Sequence, residues 1–351
     1  MALLAVTDLR VALPTALGPA EALRGVSFAI AAGETVGLIG ESGCGKSMTA
    51  LAVAGLLPEG ASSSGSIRFD GTELVGLDDE ALCRIRGDRI GMVFQEPMTA
   101  LNPLHTIGDQ VAEPLRLHRR ASRREARAEA LRLLERVRLP QARARLDAYP
   151  HQLSGGQRQR VMIAMALACG PALQIADEPS TALDETIQGE ILDLVGELVA
   201  ERGMALLLIS HDLGVMARTV SRLLVMYGGT VVEEGPTAAV FERLAHPYTK
   251  GLFGARPRLG AARGGRLATI PGRVPELVDL PAGCPFAGRC GWVVATCRAA
   301  LPPAVEVVTG DGATQPTDAT AQRHAARCIR LEAIAAGEPP HRSAADIAEA
   351  A

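Results

Sequence analysis

Aromatic side chains are scarce in this 351-residue chain: one Trp, three Tyr and six Phe, 3% of the total. The core is therefore expected to be built from Leu, Val, Ile and Ala, in keeping with a hydrophobic fraction of 48%. A surplus of one charge is also missing. Thirty-six Lys and Arg stand against 39 Asp and Glu, a formal net charge of -3, which gives no general reason to expect nucleic acid as the partner. Long apolar runs are lacking too. The longest, from Val161 to Ala176, is broken by Gly170-Pro171, carries Gln174, and is shorter than a bilayer requires. The N-terminus meets Asp8 and Arg10 almost at once and has no signal-peptide layout. The chain is accordingly expected to be cytoplasmic as synthesised, with other chains supplying any membrane spans. The seven cysteines are an odd number without an export signal. Structural disulfides are not expected in that setting, and a metal or cluster site is the better question to ask of them.

What is present alternates between strand-like and helix-like runs. Residues 2 to 39 read as strands and turns, the last strand, Thr35 to Ile39, running into a glycine-rich loop. Lys46 to Leu57 reads as a helix stopped by Pro58 and Gly60. A hairpin is expected around Asp70-Gly71. From Pro114 to about Arg145 the pattern is helical and rich in Arg and Ala. An apolar strand ending at Asp177, a helix from Thr186 to Glu201 and a strand from Ala205 follow. Strands alternating with helices predict a parallel α/β sheet. Beyond about Pro257 the periodicity fades into Pro, Gly, Arg and Cys, which reads as a separate C-terminal extension.

Gly40-Glu41-Ser42-Gly43-Cys44-Gly45-Lys46-Ser47 fits G-x-x-x-x-G-K-[ST] and lies between a predicted strand and a predicted helix, the context this motif requires. Glycines let the backbone curl so that successive N–H groups converge on phosphate oxygens at a helix N-terminus. Lys46 brings positive charge to the outer phosphates, and the Ser47 hydroxyl is a Mg²⁺ ligand of the right kind. Alone, the motif leaves GTPases, kinases, helicases and transport ATPases all open.

Further residues narrow the field. Leu153-Ser154-Gly155-Gly156-Gln157 precedes the apolar helix Val161 to Ala168 and makes a second anion-binding helix N-terminus. Read in isolation it is a Ser N-cap with a glycine turn. Followed by the acidic strand end Ile175-Ala176-Asp177-Glu178-Pro179, it resembles the signature sequence of ABC (ATP-binding cassette) ATPases. That resemblance covers residues 1 to about 255. It implies that Asp177 holds the Mg²⁺ shell and Glu178 polarises the attacking water. By the same resemblance Gln95 is the Q-loop glutamine near Mg²⁺, Thr181 to Asp184 form the D-loop, and His211 is the switch histidine at the γ-phosphate. The implied fold is α/β: a P-loop ABC ATPase with a parallel-sheet nucleotide core, an antiparallel β subdomain and a helical subdomain at about 97–160. Residues 1–256 would form the ATPase domain and 257–351 the small Cys-containing extension. Because the family's signature loop caps ATP on the opposite subunit, a second ATPase chain, identical or homologous, is implied.

Three positions depart from the family pattern. No Phe, Tyr, Trp or His lies between Val6 and Ser27 to stack on adenine, so the base is expected to rest on aliphatic side chains. Gln174 takes a normally apolar position of the acidic strand, where a buried amide is costly unless hydrogen-bonded. Glu185 follows the D-loop where an apolar residue is usual. The Arg-rich stretch carries Glu125, Glu129 and Glu135 at helical spacings from arginines and no interleaved aromatic, which is the pattern of a solvated helix.

His246-Pro247-Tyr248-Thr249-Lys250 and the tail segment Gly283-Cys284-Pro285-Phe286 through Arg289-Cys290 resemble the oligopeptide/dipeptide (peptide, nickel, opine) branch of ABC importers. Cys297 and Cys328 complete a C-x5-C-x6-C-x30-C set. Four thiolates suit Zn²⁺ or an iron–sulfur cluster, although the spacing matches neither common zinc hairpins nor ferredoxin runs. The resemblance favours an iron–sulfur cluster, with zinc second and unligated thiols third. Cys44, Cys83 and Cys169 are expected to fill small apolar sites. The resemblance thus implies an ATPase at the cytoplasmic face of the membrane that powers di- or oligopeptide import. Its implied partners are two permeases, a substrate-binding protein and a second ATPase chain. Nickel, opine or glutathione-like cargo is the nearest alternative, and a soluble ABC ATPase of DNA repair or translation the more distant one.

Overall fold

A computed structural model describes residues 2–179, 185–255, 269–307, 323–343 and 346–347. Two sheets organise it. The first is antiparallel, in the order β2-β1-β4-β5, from β1 (Ala2–Thr15), β2 (Gly18–Ala31), β4 (Ser62–Phe69) and β5 (Thr72–Glu73). β1 and β2 form one long hairpin, and Asp70-Gly71, both at positive φ, make the expected turn between β4 and β5.

The second sheet has eight strands. Its parallel part is β3 (Thr35–Ile39), β6 (Ile90–Val93), β7 (Leu173–Asp177), β8 (Ala205–Ile209) and β9 (Arg222–Tyr227), with order β9-β3-β8-β7-β6. Antiparallel β10 (Thr230–Pro236) continues it, followed by β12 (Ala325–Ala326) and β11 (Val305–Glu306) from the tail. Alternation along the strands builds two cores, one on each face. Ala205, Leu207 and Ile209 pack toward the antiparallel sheet and the phosphate-loop helix Lys46–Val53. Leu206 and Leu208 pack toward the helices of the other face.

Phe286, Ala287, Cys284, Cys290 and Cys297 are buried in the same cluster as Val195, Val225 and Tyr227, so these described residues of the extension share the core of the nucleotide domain. Cys83 is exposed, with its thiol against Asp79, rather than filling an apolar site, whereas Cys44 and Cys169 are buried as expected. The helix after the phosphate loop ends at Val53, short of Leu57, because Gly55 takes the left-handed conformation that closes a helix C-terminus.

Helices Ile107–His118, Arg123–Arg136 and Gly155–Ala166 form the region predicted to be helical. Ser122 and Glu125 cap the Arg-rich helix reciprocally. Its arginines pair with acids at the surface, Arg127 with Asp147 at 2.8 Å and Arg136 with Glu201, which is the solvated face predicted.

Candidate active site

The carboxyl ends of adjacent parallel strands are where an α/β sheet holds a ligand. The loop 40–45 leaves β3 there, and β7 delivers Asp177 and Glu178 beside it. Gly40, Gly43 and Gly45 all have positive φ. At Gly40 a Cβ would come 2.3 Å from the Met226 carbonyl oxygen, so no other residue fits the curl. At Gly43 nothing lies within 4 Å, leaving open space beside the loop backbone.

Lys46 is 6% exposed and donates from Nζ to the carbonyls of Gly40 at 2.9 Å and Glu41 at 3.0 Å, so its ammonium arches over the loop. The Ser47 hydroxyl donates to Asp177 Oδ1 at 3.1 Å. Burial raises the Asp177 pKa and the neighbouring Glu178 charge adds to the rise, against the Ser47 hydrogen bond and the Lys46 charge. Glu178 sits at φ 44°, an uncommon conformation for a non-glycine residue, fixed by its N–H donating to the Ile209 carbonyl at 2.9 Å. Its Oε2 accepts from Gln95 Nε2 at 3.3 Å and lies 3.7 Å from His211 Nδ1. Gln95, Glu178 and His211, far apart in sequence, therefore converge on one carboxylate.

A cleft of about 280 Å³ joins these groups: Ser42, Gly43, Gly45, Lys46, Ser47, Gln95 and Glu178 line it, with Leu13, Ala22 and Leu277 among the remaining lining residues. The apolar wall answers the missing aromatic, since Leu13 and Ala22 come from the β1–β2 hairpin. Leu277 comes from the tail and was not foreseen. Cys44 turns its thiol into the core, 1% exposed, so only its backbone is available to a ligand.

Ser154, Gly155, Gly156 and Gln157 do not line this cleft. Ser154 caps helix Gly155–Ala166: its Oγ accepts from the Gln157 N–H at 3.4 Å, while Gln157 Oε1 accepts from the Ser154 N–H at 3.2 Å. The simple capping reading is thus realised, and the signature stands apart from the chain's own phosphate loop. Asp184 and the rest of the expected D-loop, and the side chain of Glu185, lie outside the described residues.

In the tail, Cys284, Cys290 and Cys297 are each 8% exposed, and all four tail cysteines are free thiols. The Cys284 N–H donates to the Cys297 carbonyl at 2.8 Å. Burial pushes the Cys284 thiol up to about 11 and the Cys290 thiol up to about 12, with Cys297 and Cys328 adding to both shifts. Among the described residues, however, no group of three or more His, Cys, Asp or Glu is arranged to hold a metal ion. The expected zinc or iron–sulfur centre therefore finds no support among the described residues.

Comparison with known proteins decides the family. The ABC transporter family profile matches residues 23–181, and that of the oligopeptide/dipeptide transporter C-terminal region matches residues 232–297. A Brucella melitensis protein with peptide import ATP-binding in its name is 50% identical over 346 residues, 95% of this chain and 98% of that protein. The chain belongs to the ABC transporter ATP-binding proteins. The oligopeptide transport ATP-binding protein OppD of Salmonella typhimurium is 48% identical over 300 residues, 86% of this chain and 89% of its own. Among solved structures, the dimeric ATP-binding cassette MJ0796 bound to ADP and Pi is 33% identical with a TM-score of 0.61. It covers 67% of this chain and 98% of that one. This ABC protein is an ATPase, and its fold is the α/β ABC ATPase fold.

Proposed function

We propose that this chain binds MgATP in the cleft, closes it against a second ATP-binding chain, and so powers import of di- or oligopeptides. The observation that carries the reading is that the C-terminal region typical of oligopeptide/dipeptide transporters matches 232–297, and Tyr248 and Arg289 within it bond to Glu41 of the phosphate loop. Two permeases and an extracytoplasmic binding protein complete the proposed assembly, and no nucleic acid takes part. Among the described residues no helix is long and apolar enough to cross a membrane, which suits a peripheral subunit at the cytoplasmic face.

In this reading the N–H groups of Ser42, Gly43 and Gly45, with Lys46, hold the phosphates, and the base lies against Leu13, Ala22 and Leu277. Ser47 and Asp177 offer two adjacent oxygen donors, 3.1 Å apart, with Gln95 beside them. That set suits Mg²⁺, which takes one or two protein oxygens together with nucleotide phosphates and water. When bound, the ion neutralises charge developing on the phosphates. Glu178 accepts the proton of the attacking water, oriented by Gln95, and His211 contacts the γ-phosphate. Ser154 to Gln157 of one chain, with Asp184, close over nucleotide held by the other. For the four tail cysteines the proposal is an iron–sulfur cluster held by thiolates, supported by the burial of Cys284, Cys290 and Cys297 in one cluster. Iron and sulfide analysis of anaerobically purified protein tests it, and absence of both sinks it.

Uptake of a labelled tripeptide by cells holding this chain with its neighbouring permeases tests the function. Uptake should vanish with Lys46→Ala. Peptide uptake unaffected by that variant, with nickel or opine uptake lost instead, would reassign the cargo. A chain recovered only in soluble complexes would sink the transporter reading.

A further inference from the structure

We infer that Arg289 of the C-terminal extension is a positioning residue for ATP, acting through Glu41 of the phosphate loop. The inference rests on the reading of the cleft as the MgATP site and adds a component to it. Arg289 is 6% exposed and grips Glu41 with both arms of its guanidinium, Nη1 to Oε2 at 2.6 Å and Nη2 to Oε1 at 3.2 Å. This bidentate geometry is the strongest and most directional form of an Arg–carboxylate contact. The remaining donors are used as well: Nε reaches the Pro271 carbonyl at 2.9 Å, Nη2 the Ile270 carbonyl at 3.2 Å and Nη1 the Tyr227 hydroxyl at 3.2 Å. The guanidinium also lies 5.8 Å from the Tyr227 ring centre and 6.0 Å from that of Phe286. It has no freedom left.

Glu41 is held equally firmly by its backbone. Its N–H donates to the Tyr248 hydroxyl at 2.7 Å, and its carbonyl accepts from Lys46 at 3.0 Å. The residue that opens the loop is thus fixed by the tail on its side chain and by helix Pro247–Gly254 on its N–H. Ser42 and Gly43 at the tip remain exposed. Such an arrangement sets the direction of the loop N–H groups before nucleotide arrives, which removes an ordering cost from binding.

MgATP affinity of the full chain, measured by titration calorimetry on Arg289→Ala, Arg289→Lys, Glu41→Gln and the Arg289→Ala/Glu41→Gln double variant, tests the inference. Each single variant should weaken MgATP binding about tenfold or more. The double variant should be no worse than either, since both break one contact. Arg289→Lys should not rescue, because an ammonium cannot span both carboxylate oxygens. In turnover the loss should appear in KM rather than kcat. Glu41→Gln leaves the tail untouched and stands in should Arg289→Ala not fold. Lys46→Ala serves as the control: if it binds MgATP like the parent, the reading of the cleft itself fails. If Lys46→Ala loses binding while Glu41→Gln and Arg289→Ala stay within twofold of the parent, the role assigned to Arg289 is overturned.

Discussion

Gln174 in β7 offers a sharp test of the energetics beside the catalytic strand. Its side chain is 2% exposed, and Nε2 donates to the Ile175 carbonyl at 2.9 Å. Oε1 has no partner among the described residues. The amide oxygen is packed against β6, where a Cβ on Gly91 would come within 2.6 Å of it. An orphaned buried carbonyl costs about 1–3 kcal/mol, whereas the single bond made by Nε2 returns about 1 kcal/mol. Methionine has the same length without branching and adapts to an irregular space. Gln174→Met is therefore expected to stabilise the protein by up to about 2 kcal/mol, a rise in Tm of up to about 3 °C for a chain of 351 residues at about 2.1 cal/mol/K of unfolding entropy per residue. Thermal and urea unfolding read the change, and the ATPase rate should hold steady. A loss of 1 kcal/mol or more would mean that Oε1 is satisfied and the strand depends on the amide, which would refute the reasoning.

Phe286 is 3% exposed and meets Tyr227 edge-on at 5.2 Å and Tyr248 at 5.5 Å, so Phe286→Ala should cost about 3–5 kcal/mol. Limited proteolysis should then release the tail first, and unchanged resistance would argue against a shared core. His246 is held neutral by burial, its pKa lowered to about 4 despite the opposing pull of Glu233. The unfolded chain takes up that proton near pH 6.5 and the folded protein only near 4, so stability should fall as pH drops through that window. The loss from this one site amounts to up to about 3 kcal/mol. His246→Asn keeps a cap for the Tyr248 N–H and should flatten that slope in urea titrations; an unchanged slope would place the titration elsewhere.

What was legible in the sequence was whatever is local. The phosphate loop is contiguous from Gly40 to Ser47, and its chemistry follows from order alone. Asp177 and Glu178 are adjacent at one strand end, and parallel neighbours bring Gln95 and His211 to the same edge. What stayed hidden depends on distant pairing. Arg289 and Glu41 lie 248 residues apart, and neither is unusual in its own segment. A faint signal existed, since two of the three tyrosines in an aromatic-poor chain gather with Phe286 where the tail meets the loop. Weak periodicity in the tail hides that its buried residues serve the neighbouring domain's core and that two of its residue pairs extend the sheet at β11 and β12. Cys83 could not be placed from composition, because a rotation of about 100°, one residue position, separates it from buried Leu82 on the short helix Asp79–Cys83.

The central claim is that this chain closes over ATP with a second ATP-binding chain, identical or homologous, and that Glu178 activates the attacking water. Glu178→Gln preserves shape and removes the base, so the most direct measurement is its turnover together with its association in MgATP, with itself and with the neighbouring ATP-binding chain. The account predicts hydrolysis lowered by about 10²–10⁴-fold and a complex on size exclusion that appears only with MgATP. Hydrolysis at the parental rate, or a variant that joins neither chain with MgATP bound, would contradict it.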